Sequence, residues 1–171
     1  MMILHTERLV LLPLAAIDSP LLYPLMSDPD IMAHWDVSPI TDPDLVDLIV
    51  GRQAEQTAEG KAAYWTIGTN EGNFLGVCDL SDQDNWHKRA EVGFMLAKSA
   101  WGQGYAFEAM RAVLEYAATH GFKRLLARTH VGNIASEKLL ERLGFEIEGY
   151  LRGHVERDGE RRDCRLWGLL L

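Results

Sequence analysis

Apolar residues recur at three-and-four spacing from Ala106 through Ala109, Met110, Val113 and Leu114 to Ala117, while Glu108, Arg111, Glu115 and Thr119 fall elsewhere on the wheel. That periodicity predicts an amphipathic helix, closed by Gly121 and the apolar Phe122 behind it. Before it runs an apolar strand, Glu91 to Leu96, then Lys98-Ser99-Ala100 and the turn Trp101-Gly102-Gln103-Gly104-Tyr105-Ala106. Two further helix starts are marked by capping chemistry: Ser19-Pro20 ahead of Leu21 to Met26, and Thr41-Asp42-Pro43-Asp44 ahead of Leu45 to Glu59. A third, Asn133-Ile134-Ala135-Ser136, opens a helix that stops at Gly144-Phe145.

Short β-type runs fill the intervals: Arg8 to Leu12 closed by Pro13, Tyr64 to Gly68, Phe74 to Leu80, Arg124 to Val131, Ile147 to Val155 and Cys164 to Leu170. Asn70-Glu71-Gly72-Asn73 and Asp158-Gly159 have the composition of hairpin turns, and the polar stretch Ser81 to Arg89 reads as a connection. No repeat, low-complexity tract or linker interrupts the series. The expectation is one mixed α/β domain over residues 1–171.

The glycine pair is the chemical centre of the pattern. Glycines at 102 and 104 let the backbone turn tightly after a strand and leave amide N–H groups uncovered by side chains. The helix that follows points its orphan amides and positive dipole end into the turn, which suits it as a seat for a pyrophosphate, although glycines before a helix are often only a turn. A dinucleotide fingerprint needs a third glycine where Phe107 stands, and no Gly-Lys-Ser/Thr triplet closes a nucleoside-triphosphate loop.

Composition narrows the classes further. The chain of 171 residues is 47% apolar and carries 25 acidic against 17 basic residues, a net charge of −8. That balance disfavours nonspecific nucleic-acid binding and suits a cationic substrate. No run of membrane length occurs and the first residues lack a signal peptide's basic and apolar regions, so a cytoplasmic protein is expected. Cys78 and Cys164 lie far apart in apolar, strand-like settings and read as core residues, with neither a disulfide framework nor a metal site expected.

The layout of strand, glycine turn, helix, strand, Asn-capped helix and Gly-Phe resembles the GCN5-related N-acetyltransferases (GNAT), in particular the RimJ/RimL-like branch. The residues that carry the resemblance are Trp101-Gly102-x-Gly104-Tyr105-Ala106-x-Glu108-Ala109, Thr6-Glu7-Arg8-Leu9, Ala90-Glu91-Val92-Gly93, Asn133-x-x-Ser136, Leu143-Gly144-Phe145 and Glu148-Gly149. Together they span essentially the whole chain. Three positions depart from the family pattern: Trp101 stands where an Arg or Gln is usual, Leu12 where members often have an arginine, and Leu140 where many have a tyrosine general acid.

The resemblance implies an α+β fold with a mixed, largely antiparallel sheet of about six to seven strands, splayed at the centre. It implies acetyl-coenzyme A as cofactor, a primary amine as acceptor, either a small molecule or a protein N-terminus, and direct attack without a covalent enzyme intermediate. A homodimer is plausible by the same likeness. Amides of Gly102, Gln103, Gly104, Tyr105 and Ala106, with Trp101 alongside, are expected to hold the pyrophosphate. Backbone around Leu96 and the side chain of Asn133 would meet the pantetheine arm, and the Phe94 N–H the thioester oxygen. Ser136 is expected near the sulfur. Glu91 is the first choice for general base, with Asp79 and His154 ranked lower. His34 and Trp35 either border the acceptor or plug a gap, and Trp86 could reach substrate or solvent. Without the tyrosine, a non-catalytic acyl-coenzyme A sensor with this fold stays open as an alternative.

Overall fold

The computed structural model describes residues 2–171. Eight strands form one sheet in the order β1-β2-β3-β4-β5-β6-β8-β7, with β1 Leu4–His5, β2 Leu9–Pro13, β3 Ala63–Thr69, β4 Phe74–Asp84, β5 Arg89–Leu96, β6 Arg124–His130, β7 Glu146–Arg157 and β8 Glu160–Leu170. Four helices accompany it: α1 Ser19–Met26, α2 Pro43–Ala58, α3 Tyr105–Thr119 and α4 Ile134–Arg142. The two-residue β1 is the strand that the sequence pattern does not announce. Strand β4 also runs on to Asp84, through part of the stretch expected to be a connection.

Strands pair antiparallel except at one seam, where β5 and β6 run parallel. That seam is short. Arg89, Ala90 and Glu91 pair with Arg124, Leu125 and Leu126, and beyond Glu91 the two strands part. The expected splay is therefore present, and it opens a gap in the middle of the sheet.

Strand alternation sorts the side chains onto two faces. Cys78, Leu80, Ala90, Val92, Leu125 and Ala127 join Met110 and Val113 of α3 and Leu140 of α4 in the main core. Their neighbours in sequence, Val77 on β4 and Met95 on β5, pack on the other face with residues of α1 and the 3-10 turn Ile31–His34. The gap between β5 and β6 is where the two faces communicate. Both cysteines are buried and unpaired.

Local chemistry explains the helix starts. The Asp42 side chain accepts a hydrogen bond from the Asp44 N–H at 3.0 Å, with Pro43 in the first turn. Asn133 Oδ1 accepts from the Ser136 N–H at 3.3 Å. Helix α3 has no such cap: Gly104 stands before it in the left-handed region, φ +80°, and offers no side chain. Its first amides are left to something else.

Candidate active site

A cleft of about 1120 Å³ follows the gap between β5 and β6 and reaches both faces of the sheet. On the α3/α4 side it is lined by Trp101, Gly102, Gly104, Ala106, Asn133 and Ser136. On the opposite side stand His34, Trp35, Asp36, Tyr64, Asp79 and Glu91.

The α3 end is built to take an anion. Gly102 (φ +72°) and Gly104 (φ +80°) both adopt backbone conformations that residues with a Cβ rarely hold. No atom lies within 4 Å of where a Cβ on Gly102 would stand, so the turn is bare. The uncapped amides and dipole of a fifteen-residue helix face it. A diphosphate fits such a seat, and the residues present therefore suit coenzyme A.

Arg8 and Thr6 brace this turn from behind, a function that the sequence pattern did not disclose. Arg8 Nε donates to Glu108 Oε2 at 2.7 Å, the Arg8 backbone N–H to Glu108 Oε1 at 2.8 Å, and Arg8 Nη1 to the Gln103 carbonyl at 3.1 Å. The guanidinium also lies 4.5 Å from the centroid of the Tyr105 ring, and Thr6 Oγ1 donates to Glu108 Oε1 at 2.6 Å. Burial raises the Glu108 pKa, but the bonds from Thr6 and Arg8 outweigh it, so the group stays below its ordinary value. The clue was the pair Thr6-x-Arg8 and Glu108, whose contact spans a hundred residues of sequence.

Trp101 fastens the other side of the turn, its indole N–H donating to the Leu96 carbonyl at 3.0 Å. The Leu96 carbonyl already has a partner, so strand-like pairing by a ligand here falls to the remaining groups of β5. Those groups face the right way: the Ala97 N–H donates to Leu75 on β4 at 2.8 Å, and backbone groups alternate sides along a strand. The Leu96 and Phe94 N–H groups hence point away from β4, toward the gap. Asn133 uses Oδ1 for its cap, which leaves its amide group for a ligand carbonyl.

The opposite side is acidic where it nears the gap. Glu91, half-buried, has its carboxyl raised chiefly by burial; Arg128 opposes that, and Asp82 and Asp36 add to it. Asp79, on β4, is pushed up to about 6, again by burial first; the hydrogen bond from Ser81 opposes the shift, and the Glu91 and Asp82 charges add to it. The Tyr64 hydroxyl is pushed up to about 12 by burial and the neighbouring Asp79 charge. It holds its proton at neutral pH.

Residues 28–39 form a strap over this side, tied at both ends. Lys98 pairs with Asp28 at 2.9 Å and Asp30 at 2.5 Å. At the far end Asp36 binds Arg128 at 2.6 Å and His130 Nε2 at 2.8 Å. Arg157, from β7, donates to the carbonyls of Met32, Ala33 and Trp35. His34 and Trp35 are thereby held at the cleft wall. The His34 pKa is lowered by its own burial and by His130, Arg162 and Arg157 around it.

Trp86 is a correction. It sits at the tip of the β4–β5 hairpin, 85% exposed, and is no part of the cleft lining. Asp84 holds that hairpin by accepting from the Trp86 and His87 N–H groups, so the indole points outward with the turn. The Gln103 side chain donates to the Ser99 carbonyl at 2.5 Å, so the expectation for this residue stays with its backbone amide. Leu140, at the position of the family's tyrosine, is buried in the core.

The family model for the Acetyltransferase (GNAT) domain matches residues 8–146. An uncharacterised N-acetyltransferase, p20, of Bacillus licheniformis is 31% identical over 98% of this chain and 95% of its own length. The [ribosomal protein uS5]-alanine N-acetyltransferase of Escherichia coli is 32% identical over 65% of this chain and 59% of its own. Among solved structures, a spermidine N-acetyltransferase from Vibrio cholerae, in complex with coenzyme A and spermine, superposes with a TM-score of 0.86 at 21% identity, covering 96% of each chain. A Salmonella typhimurium enzyme that modifies the N-terminal serine of ribosomal protein L7/L12 superposes at 0.90, also at 21% identity and covering 99% of each. Those two likenesses speak for the fold. The match to the family model over most of its length, with the relative that is 31% identical over 98% of the chain, makes this chain a member of the GCN5-related N-acetyltransferase superfamily, similar to its RimJ/RimL-like branch, and an acetyl-coenzyme A-dependent N-acetyltransferase.

Proposed function

We propose that the acceptor is a cationic primary amine, on a small molecule or a protein N-terminus, that enters from the strap side and is acetylated at the gap between β5 and β6. The observation that carries this reading is the division of the cleft: carboxylates on one face, uncapped helix amides on the other, meeting where the sheet opens. Acetyl-coenzyme A supplies the acetyl thioester. The turn Trp101 to Ala106 and the start of α3 hold its diphosphate, and Asn133 holds the pantetheine arm.

The Phe94 N–H stabilises negative charge developing on the thioester oxygen, a preformed dipole that needs no reorganisation. Glu91 accepts a proton from the amine, through water; partial burial brings its pKa toward the working pH. Ser136, in the first turn of α4, hydrogen-bonds the sulfur. Because a thiol is only weakly basic as its anion, no strong acid is required at Leu140.

Calorimetric titration with acetyl-coenzyme A, desulfo-coenzyme A, NAD and ATP tests the seat. Free-thiol release against a panel of spermine, amino acids and peptides of varied N-terminus then tests the acceptor. Selective coenzyme A binding with amine-dependent release is the expected result. Binding without release from any of them would favour an acyl-coenzyme A sensor.

A further inference from the structure

Acyl transfer to an ammonium ion removes two protons from one nitrogen. The first must leave before the lone pair can attack, and the second leaves as the C–N bond forms and the C–S bond breaks. The departing sulfur takes one proton, and the other passes to solvent. Glu91 alone would have to discharge the first before it could accept the second.

A second carboxylate stands beside it. Asp79 on β4 is the cross-strand partner of Gly93, and Ser81 is the partner of Glu91, so Asp79 and Glu91 project diagonally from adjacent strands on the same face. The Asp79 side chain lies over the backbone of β5: a Cβ at Gly93 would stand 2.5 Å from Asp79 Oδ2 and 3.3 Å from its Cγ. Gly93 is not among the glycines with positive φ. Its backbone does not require glycine, then; a Cβ there would push the Asp79 carboxylate aside. One residue on is Phe94, whose N–H points into the gap. Asp79 Oδ1 accepts from Ser81 Oγ at 2.7 Å, which leaves Oδ2 as the oxygen turned toward Gly93.

We propose that Asp79 is a second proton acceptor for the reacting nitrogen, working beside Glu91 from above Gly93; this rests on the acetyl-transfer reading above. The two carboxylates bind the ammonium ion together and then take its protons in succession; the first passes on to solvent and the second, through water, to the departing thiolate, which leaves both carboxylates ionised for the next turnover. Their surroundings favour the task. Asp79 faces Tyr64 on β3, Asp82 on its own strand and Glu91 on β5, with Gln53 of α2 on the same wall. Glu91 faces Arg128 on β6, Asp36 of the strap and His154 on β7. Arg128 is already claimed by Asp36, so neither proton acceptor is neutralised by a bidentate arginine of its own. Burial holds Asp79 at about 6, where it exists as the base at neutral pH and is still a far better proton acceptor than an exposed aspartate.

Two readouts on the full chain test this. Carboxyl ¹³C NMR of the ligand-free protein should show one aspartate titrating near pH 6, missing in Asp79→Asn and moved down in Glu91→Gln. In thiol-release assays with acetyl-coenzyme A and either spermine or an alanine-initial hexapeptide, Asp79→Asn should lower kcat by about 100-fold, as expected for loss of a proton-transfer group, with unchanged acetyl-coenzyme A affinity and no acid limb near pH 6. Gly93→Ala keeps the carboxylate but displaces it, and should lose at least about tenfold. An Asp79 that titrates like an exposed carboxylate, or an Asp79→Asn enzyme with the native rate and acid limb, overturns the proposal. Loss of rate in Glu91→Gln alone removes Asp79 and leaves the transferase standing, whereas no thiol release by the native chain with any amine removes the transferase reading itself.

Discussion

Gly104 and Arg8 act on one turn from opposite sides, and their substitutions should separate binding from stability. At Gly104 the backbone has φ +80° and a Cβ would lie 3.5 Å from Arg8 Nη2, so Gly104→Val strains the turn and presses on the brace behind it, which displaces the amides that form the anion seat. Acetyl-coenzyme A affinity should fall more than about 100-fold by calorimetry, since several amide contacts to a diphosphate are charge-assisted and are lost together. Arg8→Ala takes away the partner of a mostly shielded Glu108 carboxylate. About 1–2 kcal/mol of stability should go with it, read in urea unfolding, while affinity falls by a smaller factor. Asp79 carries an opposite sign. Its pKa is raised on folding, so the unfolded chain ionises first and stability declines as pH rises from about 4 through about 6. Asp79→Asn should therefore raise the melting temperature at pH 8 and leave it unchanged at pH 3. The gain should be about 1–2 kcal/mol once the solvent reaching the carboxyl from the cleft is allowed for.

Elements with a strong local signature were the legible ones. Helices α2 and α4 start where Asp42 and Asn133 cap them, and α3 follows from its apolar period, because caps and periodicity act within a few residues. Glycines 102 and 104 were readable as a turn for the same reason. The strap was not, because its shape is imposed by Arg157 and Arg128, which come from strands about a hundred residues later in the chain. Asp79 ranked below Glu91 in the sequence because only strand register brings its carboxyl over Gly93. Trp86 misled for a related reason: β4 extends to Asp84 and carries the hairpin tip away from the cleft. The strap's dependence on one arginine can be measured. Arg157→Ala takes the shared donor from the carbonyls of Met32, Ala33 and Trp35; Ala33 keeps Arg162 and Met32 keeps the Trp35 N–H, so the cost should be about 1–2 kcal/mol. Hydrogen exchange should rise across residues 30–37 and the acceptor KM should increase, with acetyl-coenzyme A affinity unaffected.

At the scale of the molecule, the sheet is two half-sheets joined along a seam. Strands β5 and β6 share the three pairs from Arg89 to Glu91, whereas β6 and β8 are in register from Arg124 to His130. The same parting that weakens the seam creates the cleft, and the proposed cofactor seat draws on both sides of it: α3 begins after β5, α4 after β6. On that proposal a bound ligand would bridge the halves and stand in for interstrand bonds that the splay gives up. Coenzyme A at one hundred times its dissociation constant should stabilise the fold by about 2.7 kcal/mol, a rise in melting temperature of about 5 to 10 °C for a chain of this length. The pattern of protection matters more than its size. Exchange should slow in the first turns of both α3 and α4, since the seat uses both. Slowing confined to α3 would mean that the ligand touches only the β5 half and that Asn133 is a helix cap alone. In Gly104→Val the temperature increment and both protections should vanish together, because without the diphosphate seat no ligand is held long enough to span the gap.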